Sequence, residues 1–204
     1  MRIYQKFGKR ILDMVLSLIT LVIFLPIMIL ISLVQLLYFG SNIFFIQVRN
    51  TKNSKQFKII KFRTMTDIFD KSGLQLPDKY RITKFGKFLR ATSLDEIPNL
   101  FNVLLGQMSI VGPRPLPISF YDSMSVEQQK RYQVSAGLTG LAQVSGRNKL
   151  TWKEKIDFDL IYVQNFNFYF DLKIIFKTLF ILFAYNKNES LFNEGLDKYS
   201  PDFD

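Results

Sequence analysis

The sequence contains no cysteine and no histidine. The first absence removes disulfides, thiolate nucleophiles and sulfur-rich zinc sites, and it fits a cytoplasm-facing catalytic part. The second removes the usual general base near neutral pH and the usual imidazole metal ligand. Any chemistry must fall to Asp, Glu, Lys, Tyr or Ser. Acidic residues are also few: 17 Asp and Glu stand against 27 Lys and Arg, a net charge of +10. Apolar residues are plentiful, at 48% of 204, and the mean hydropathy reaches +0.10 even with 22% charged residues. That combination requires a local apolar segment. The length suits one domain, or a small domain with a membrane element.

The segment is residues 14–48, where no Asp, Glu, Lys or Arg occurs. It exceeds the roughly 20 apolar residues that span a bilayer as a helix, and it is too long for a cleavable signal peptide. Lys6, Lys9 and Arg10, with Arg2, precede it; Arg49, Lys52, Lys55, Lys58, Lys61 and Arg63 follow it. Residues 1–90 carry +12 and residues 91–204 carry −2, so the positive charge lies beside the lipid-like run, where it attracts anionic headgroups. An isoelectric point near 9.7 also suits nucleic acid, but the apolar run favours a membrane, and no nucleic-acid partner is expected. Basic residues favour the cytoplasmic side, and here both flanks are basic. Pro26 lies mid-run, where it removes a backbone donor and clashes with the preceding turn. Ser17 and Thr20 stand ready to satisfy freed carbonyls. These features predict a re-entrant helical hairpin, with a straight single span as the alternative.

Further on, residues 41–46 and the alternation in 56–65 predict a short strand or hairpin, and residues 66–81 an exposed loop. Helical spacing over 82–105, interrupted at 91–98, predicts two helices meeting. Three prolines in 112–117 exclude helix and central strand. Thr151 and Glu154 have the spacing of a capping box that opens the last long helix. Residues 158–185, aromatic with Lys173 and Lys177 on one face, suit either core packing or a helix in the headgroup plane.

Ser93-Leu94-Asp95-Glu96 is the most informative tetrapeptide. By itself it reads as a helix start, with Ser93 capping and Glu96 reaching back. Its neighbours suggest more. Arg90 lies just before it and Pro113-Arg114-Pro115 downstream, a guanidinium on stiff backbone suited to bidentate phosphate recognition or, more plainly, to a surface turn. One arginine cannot neutralise two adjacent carboxylates, so a divalent cation, Mg2+, is a natural third party for Asp95 and Glu96. Lys61, Arg63, Arg90 and Arg147 offer further positive charge, or are solvated surface cations.

The ordered motifs Lys61-Phe62-Arg63-Thr64-Met65, Ser93-Leu94-Asp95-Glu96-Ile97-Pro98, Leu100-Phe101-Asn102-Val103-Leu104, Gly112-Pro113-Arg114-Pro115 and the segment 137–148 resemble the monotopic phosphoglycosyl transferases, bacterial sugar transferases, in their short, catalytic-domain-only form. The resemblance runs from Lys9-Arg10 to about Lys177. It implies a re-entrant helix broken at a proline, here Leu25-Pro26, in the bacterial inner membrane with the catalytic domain on the cytoplasmic face. It implies transfer of a sugar phosphate from a UDP-sugar to undecaprenyl phosphate with release of UMP. On this reading Asp95 is the nucleophile that forms a phosphosugar intermediate, Glu96 helps bind magnesium, and Arg90 and Arg114 bind phosphate. Gln143, Arg147 and Asp159 fall near the nucleotide and sugar pocket. A membrane glycosyltransferase that releases UDP and a non-catalytic membrane scaffold are the competing functions; a homo-oligomer is compatible with all three. The expected architecture is mostly α with a small β element: a re-entrant membrane helix hairpin over 1–48, a compact membrane-associated catalytic domain with interfacial amphipathic helices over 49–185, and a polar tail over 186–204.

Overall fold

The computed structural model describes residues 3–146 and 149–184; Arg147, Arg2 and the tail from 185 onward lie outside the described residues. After a π-helical turn at Tyr4–Gly8, helix α1 runs over Lys9–Phe39 with Pro26 inside it. Helical geometry resumes past the proline, so Lys9–Phe39 is one element and no second helix starts there. Ser17 donates back to the carbonyls of its own turn, Asp13 and Met14, and does not reach the Val22 carbonyl that loses its partner at Pro26, so the expected mending of the break by Ser17 is not made.

The buried residues of α1 are Lys9, Asp13, Ser17, Leu21, Met28, Ile31 and Gln35, a single stripe at three-, four- and seven-residue spacing. Leu21, Met28 and Ile31 pack with Phe62, Leu89, Ile97 and Leu100 in one core cluster. Polar contacts follow the same stripe. Arg10 donates to the carbonyls of Val103 and Leu104, Asp13 accepts from the Ile110 N–H at 2.9 Å, and Gln35 donates to the Arg63 carbonyl at 2.7 Å. The rest of the helix surface presents Val15, Leu18, Ile19, Val22, Ile23, Leu30, Leu33 and Leu37 outward. So long an exposed apolar face is unstable in water and marks a surface meant for another medium or partner.

Strands β1 (Phe44–Asn50) and β2 (Gln56–Phe62) form an antiparallel hairpin in which Phe44 faces Phe62 and Asn50 faces Gln56. It starts three residues later than the sequence suggested, because α1 continues to Phe39 and residues 40–43 make the turn. Four short helices follow in this stretch: α2 (Asp78–Arg81), α3 (Lys84–Thr92), a 3-10 turn at Leu94–Glu96, and α4 (Asn99–Leu104). Strand β3 (Ser109–Val111) pairs in parallel with β4 (Gly137–Thr139). Between them lies α5 (Val126–Gln129), opened by a Ser125/Gln128 capping box. Helix α6 (Leu141–Ser145) leads to α7 (Trp152–Asn165), whose Thr151/Glu154 capping box is formed as the spacing predicted. The last helical stretch is not continuous. Asn167 accepts from the Phe170 N–H and opens a separate helix, α8 (Phe168–Ala184). Its Asp171 and Ile174 face inward, while Tyr169, Phe176, Phe180, Lys173 and Lys177 are exposed.

A buried polar knot joins the first helix to the last. Asp171, fully buried, accepts from Lys9 Nζ at 2.7 Å, from the Tyr4 hydroxyl and from the Tyr162 hydroxyl at 2.8 Å, whose single proton is shared with the Val111 carbonyl 3.0 Å away. The apolar helix is thus part of the core of the body that follows it, as well as a lipid-like surface.

Candidate active site

Each side chain of the site is placed by a local feature of the chain. Thr83 caps α3 by accepting from the Gly86 N–H, and Gly86 is there because a Cβ would sit 2.1 Å from the Thr64 carbonyl oxygen. This close approach lets Arg90 Nε donate to Thr64 Oγ1 at 2.9 Å. At the end of α3, Ser93 adopts left-handed backbone (φ 58°, ψ 18°), an uncommon choice for a residue with a Cβ, and turns the chain sharply into Leu94–Glu96. The expected helix cap is therefore corrected: Ser93 makes no side-chain cap, and Glu96 does not reach back to it. Glu96 Oε1 instead accepts from Lys61 Nζ at 2.5 Å and from Arg114 Nη2 at 3.1 Å. Lys61 is set by the strand beneath it. Asn99 Oδ1 accepts from the Ile60 N–H, and the buried Asn102 donates to the Lys58 carbonyl at 2.8 Å, so α4 clamps β2 over the residues just before Lys61.

Arg114 comes from the other sheet. Gly112 donates to the Thr139 carbonyl and Gly137 to the Pro113 carbonyl; a Cβ on Gly112 would lie 2.3 Å from the Ser135 carbonyl oxygen, so only glycine lets the two chains meet. From behind, the fully buried Arg131 donates to the Arg114 carbonyl at 2.6 Å while Asp159 accepts from Arg131 Nε and Nη2 at 3.0 and 2.8 Å. Pro113 and Pro115 stiffen the intervening loop.

The result is an asymmetric carboxylate pair. Burial would raise Glu96, but Lys61 and Arg114 outweigh it and hold this carboxylate down to about 2. Asp95, 8% exposed, is pushed up to about 6, first by burial and then by the Glu96 charge, against the pull of Lys61, Arg90 and Arg114. Pushed no higher than about 6, Asp95 is mostly charged at neutral pH; it feels the charges of Lys61, Arg90 and Arg114, and among the described residues it accepts no side-chain hydrogen bond from any of them.

The site unites Asp95, Glu96, Lys61, Arg90 and Arg114. Arg63 is turned elsewhere: it pairs with Asp67 at 2.7 Å and lies over the Phe39 ring. Asp159 is 3% exposed and spent on Arg131, so it steadies Arg114 from behind and does not face an open pocket. Gln143 is close to Gly140, with both amide atoms buried and without a hydrogen-bond partner among the described residues. Arg131 was not foreseen; nothing local separates it from the other polar residues of 125–133. No group of three or more His, Cys, Asp or Glu side chains that would cage a metal exists among the described residues. The donor set nonetheless fits magnesium: Asp95 and the second oxygen of Glu96 are hard, unbonded ligands, and this ion takes one or two carboxylates plus substrate phosphate and water.

The bacterial sugar transferase family matches this chain over residues 4–185. The chain is 46% identical over 140 residues to the uncharacterized sugar transferase EpsL of Bacillus subtilis, covering 69% of each. It is 40% identical over 182 residues to the UDP-glucose:undecaprenyl-phosphate glucose-1-phosphate transferase of Klebsiella pneumoniae, covering 84% of this chain but only 39% of that protein. It is 36% identical over 192 residues to the exopolysaccharide production protein ExoY of Rhizobium meliloti, covering 84% of each.

Proposed function

Because the chain belongs to the bacterial sugar transferase family, and is thus a transferase, we propose that it moves a sugar phosphate from a UDP-sugar to undecaprenyl phosphate and releases UMP. The observation that carries this reading is Asp95: a buried carboxylate that accepts no side-chain hydrogen bond among the described residues and feels the charges of Lys61, Arg90 and Arg114. A structural carboxylate in such company would be paired; this one is left free to attack.

In the first step an Asp95 carboxylate oxygen attacks the phosphorus that bears the sugar. The bond from that phosphorus to the bridging oxygen breaks, and UMP departs with the bridging oxygen and its electron pair. An acyl phosphate diester to the sugar remains on Asp95. In the second step a phosphate oxygen of the lipid attacks the same phosphorus, and Asp95 leaves as the carboxylate. Neither step needs a histidine, since attacker and leaving group are both anions. Arg90 and Arg114 neutralise the diphosphate, and Glu96, itself neutralised, keeps Lys61 and Arg114 aimed at the site. Magnesium held by Asp95 and Glu96 would add positive charge against the diphosphate.

Membrane placement follows from α1. Its buried stripe docks on one body both before and after Pro26, at Asp13 and Leu21 on one side and Ile31 and Gln35 on the other. A helix held along its length by a polar domain enters a bilayer only as far as its outward apolar face allows, which favours a re-entrant or in-plane seating over a crossing. Both basic flanks then face the cytoplasm, and the exposed aromatic and lysine face of α8 suits the headgroup plane.

Purified chain given undecaprenyl phosphate, magnesium and a panel of UDP-sugars tests the reaction. UMP as the nucleotide product supports the proposal; UDP would make the chain a conventional glycosyltransferase, and no turnover with any donor a scaffold.

A further inference from the structure

A second concave site lies away from Asp95. Between the start of α1, the β1–β2 turn and the end of α7 is a cavity of about 310 Å3, and Lys6, Lys9, Arg10 and Lys52 all line it. Lys9 is spent on the buried Asp171 behind it, and Arg10 is held by the Val103 and Leu104 carbonyls, which fix its guanidinium without neutralising it. Asp13, the one carboxylate of the lining, accepts from the Ile110 N–H. Lys6 and Lys52 are exposed, and among the described residues neither forms an ion pair. Four cations thus meet only two carboxylates, Asp13 and Asp171, and the excess charge falls on Lys6, Arg10 and Lys52. Gln133 and Ser135 add neutral hydrogen-bonding groups to the wall. The cavity is no part of the reaction site. Lys52 lies in the turn past the Asn50/Gln56 pair, whereas Lys61 stands opposite Phe45, five register steps or about 17 Å back along the hairpin.

The surroundings of the cavity say what kind of anion it takes. Three of its lining residues are next in sequence to exposed apolar side chains: Phe7 follows Lys6, Ile11 follows Arg10, and Leu105 precedes Gly106. Phe7 and Ile11 begin the outward stripe that continues through Val15, Leu18 and Val22 at three- and four-residue spacing, so the cations stand where the lipid-like face of α1 starts. A soluble phosphate needs no such neighbours; a phosphate that carries acyl chains does. We infer that this cavity is the headgroup site for one anionic glycerophospholipid: Lys6, Arg10 and Lys52 hold its phosphate, Gln133 and Ser135 meet its polar head, and its acyl chains lie along Phe7 and Ile11. Diffuse attraction between basic flanks and a charged bilayer needs no pocket and accepts any arrangement of lysines. A built cavity takes lipids one at a time and rejects a choline or ethanolamine head, whose own cation would meet this cluster. Because the lining comes from α1, the hairpin turn and α7, the bound lipid bridges all three, and its occupancy stabilises the docking of α1. The site stands apart from Asp95 and holds whichever nucleotide the enzyme releases.

Lipid counting tests this. The purified full-length chain in detergent is titrated with dihexanoyl phosphatidylglycerol, dihexanoyl phosphatidylcholine or glycerol 3-phosphate; native mass spectrometry counts the bound molecules, and melting curves read the affinity. The same titrations are run on Lys6→Gln/Lys52→Gln, on Lys6→Arg/Lys52→Arg, and on Lys71→Gln/Lys153→Gln, which removes two exposed charges outside the cavity. The parent should retain one phosphatidylglycerol and no phosphatidylcholine, and should bind glycerol 3-phosphate at least about tenfold more weakly than the lipid. Lys6→Gln/Lys52→Gln should lose about thirtyfold in phosphatidylglycerol affinity, while the arginine pair and the distant pair keep it. Relief of repulsion predicts that Lys6→Gln/Lys52→Gln melts no lower than the parent without lipid, so that its loss of lipid is not a loss of fold. Equal retention of the two lipids, or an equal loss in Lys71→Gln/Lys153→Gln, overturns the site and leaves only diffuse attraction. Glycerol 3-phosphate bound as tightly as the lipid makes the ligand a soluble phosphate ester and overturns the lipid assignment.

Discussion

A buried charge that the fold does not pair should cost stability, and Asp95 gives the cost a size. Its carboxyl titrates near 6, against an ordinary 3.8, chiefly because it is buried and secondarily because Glu96 is charged beside it. At about 1.4 kcal/mol per pH unit, that gap amounts to about 3 kcal/mol of destabilisation in the ionised state. The sign follows from the raised value. The folded protein holds this proton more tightly than the unfolded chain, so the penalty is full above about pH 6 and fades as the pH falls toward 4. Asp95→Asn keeps shape and size but carries no charge. At pH 8 the variant should melt above the parent, by up to about 10 °C given about 2–4 °C per kcal/mol for a chain of this size. The carboxamide N–H groups, which face Lys61, Arg90 and Arg114, trim that gain. The gap should narrow steadily between pH 7 and pH 5, and turnover should be lost at every pH. Paired melting curves across this range, in detergent or nanodiscs, read the effect. A variant that melts below the parent at pH 8 would refute the reasoning: Asp95 would then be a stabilising ion-pair partner of the arginines, and its freedom to attack would be illusory.

Other outcomes follow from the same geometry. The rate of the first half-reaction should be flat above about pH 6 and fall about tenfold per pH unit below it as Asp95 takes up its proton, which a rapid-quench pH profile reads. Arg131→Met should cost about 3–5 kcal/mol by stranding the buried Asp159. Adding Asp159→Leu should restore much of the melting temperature but not the turnover, because the Arg114 carbonyl still lacks its donor. Single cysteines at positions 6 and 55, in a chain that otherwise has none, should both label from the cytoplasmic side; labelling from opposite sides would make α1 a crossing helix.

Features whose causes are local were legible in the sequence. The Thr151/Glu154 box, the hairpin alternation around Phe57 and Ile59, the two helices meeting near Ser93 and the charge-free run 14–48 all declare themselves within a few residues. Asp95, Glu96, Lys61, Arg90 and Arg114 were all named, and the fold brings them together. The misreadings have long-range causes. Glu96 has the spacing of a capping residue, but Lys61, 35 positions earlier, and Arg114, 18 positions later, claim its carboxylate. Asp159 looks like a pocket residue until Arg131 is seen buried against it. The stripe of α1 is concealed because its apolar members Leu21, Met28 and Ile31 sit in a helix whose outward side is equally apolar, so no periodicity separates the face that meets Leu89 and Leu100 from the exposed one. The break at Asn167 was local but subtle, a single capping amide between two aromatic runs.

The measurement that bears most directly on the central claim is a single-turnover experiment without acceptor. Enzyme, magnesium and a UDP-sugar that supports turnover are mixed in the absence of undecaprenyl phosphate, quenched in acid and analysed for nucleotide and intact mass. The account predicts one UMP per active site and a protein heavier by one sugar phosphate, localised to Asp95, with neither event in Asp95→Asn. An enzyme that turns over with lipid present, yet releases no UMP and gains no mass without it, would contradict the account and show direct transfer between two bound substrates.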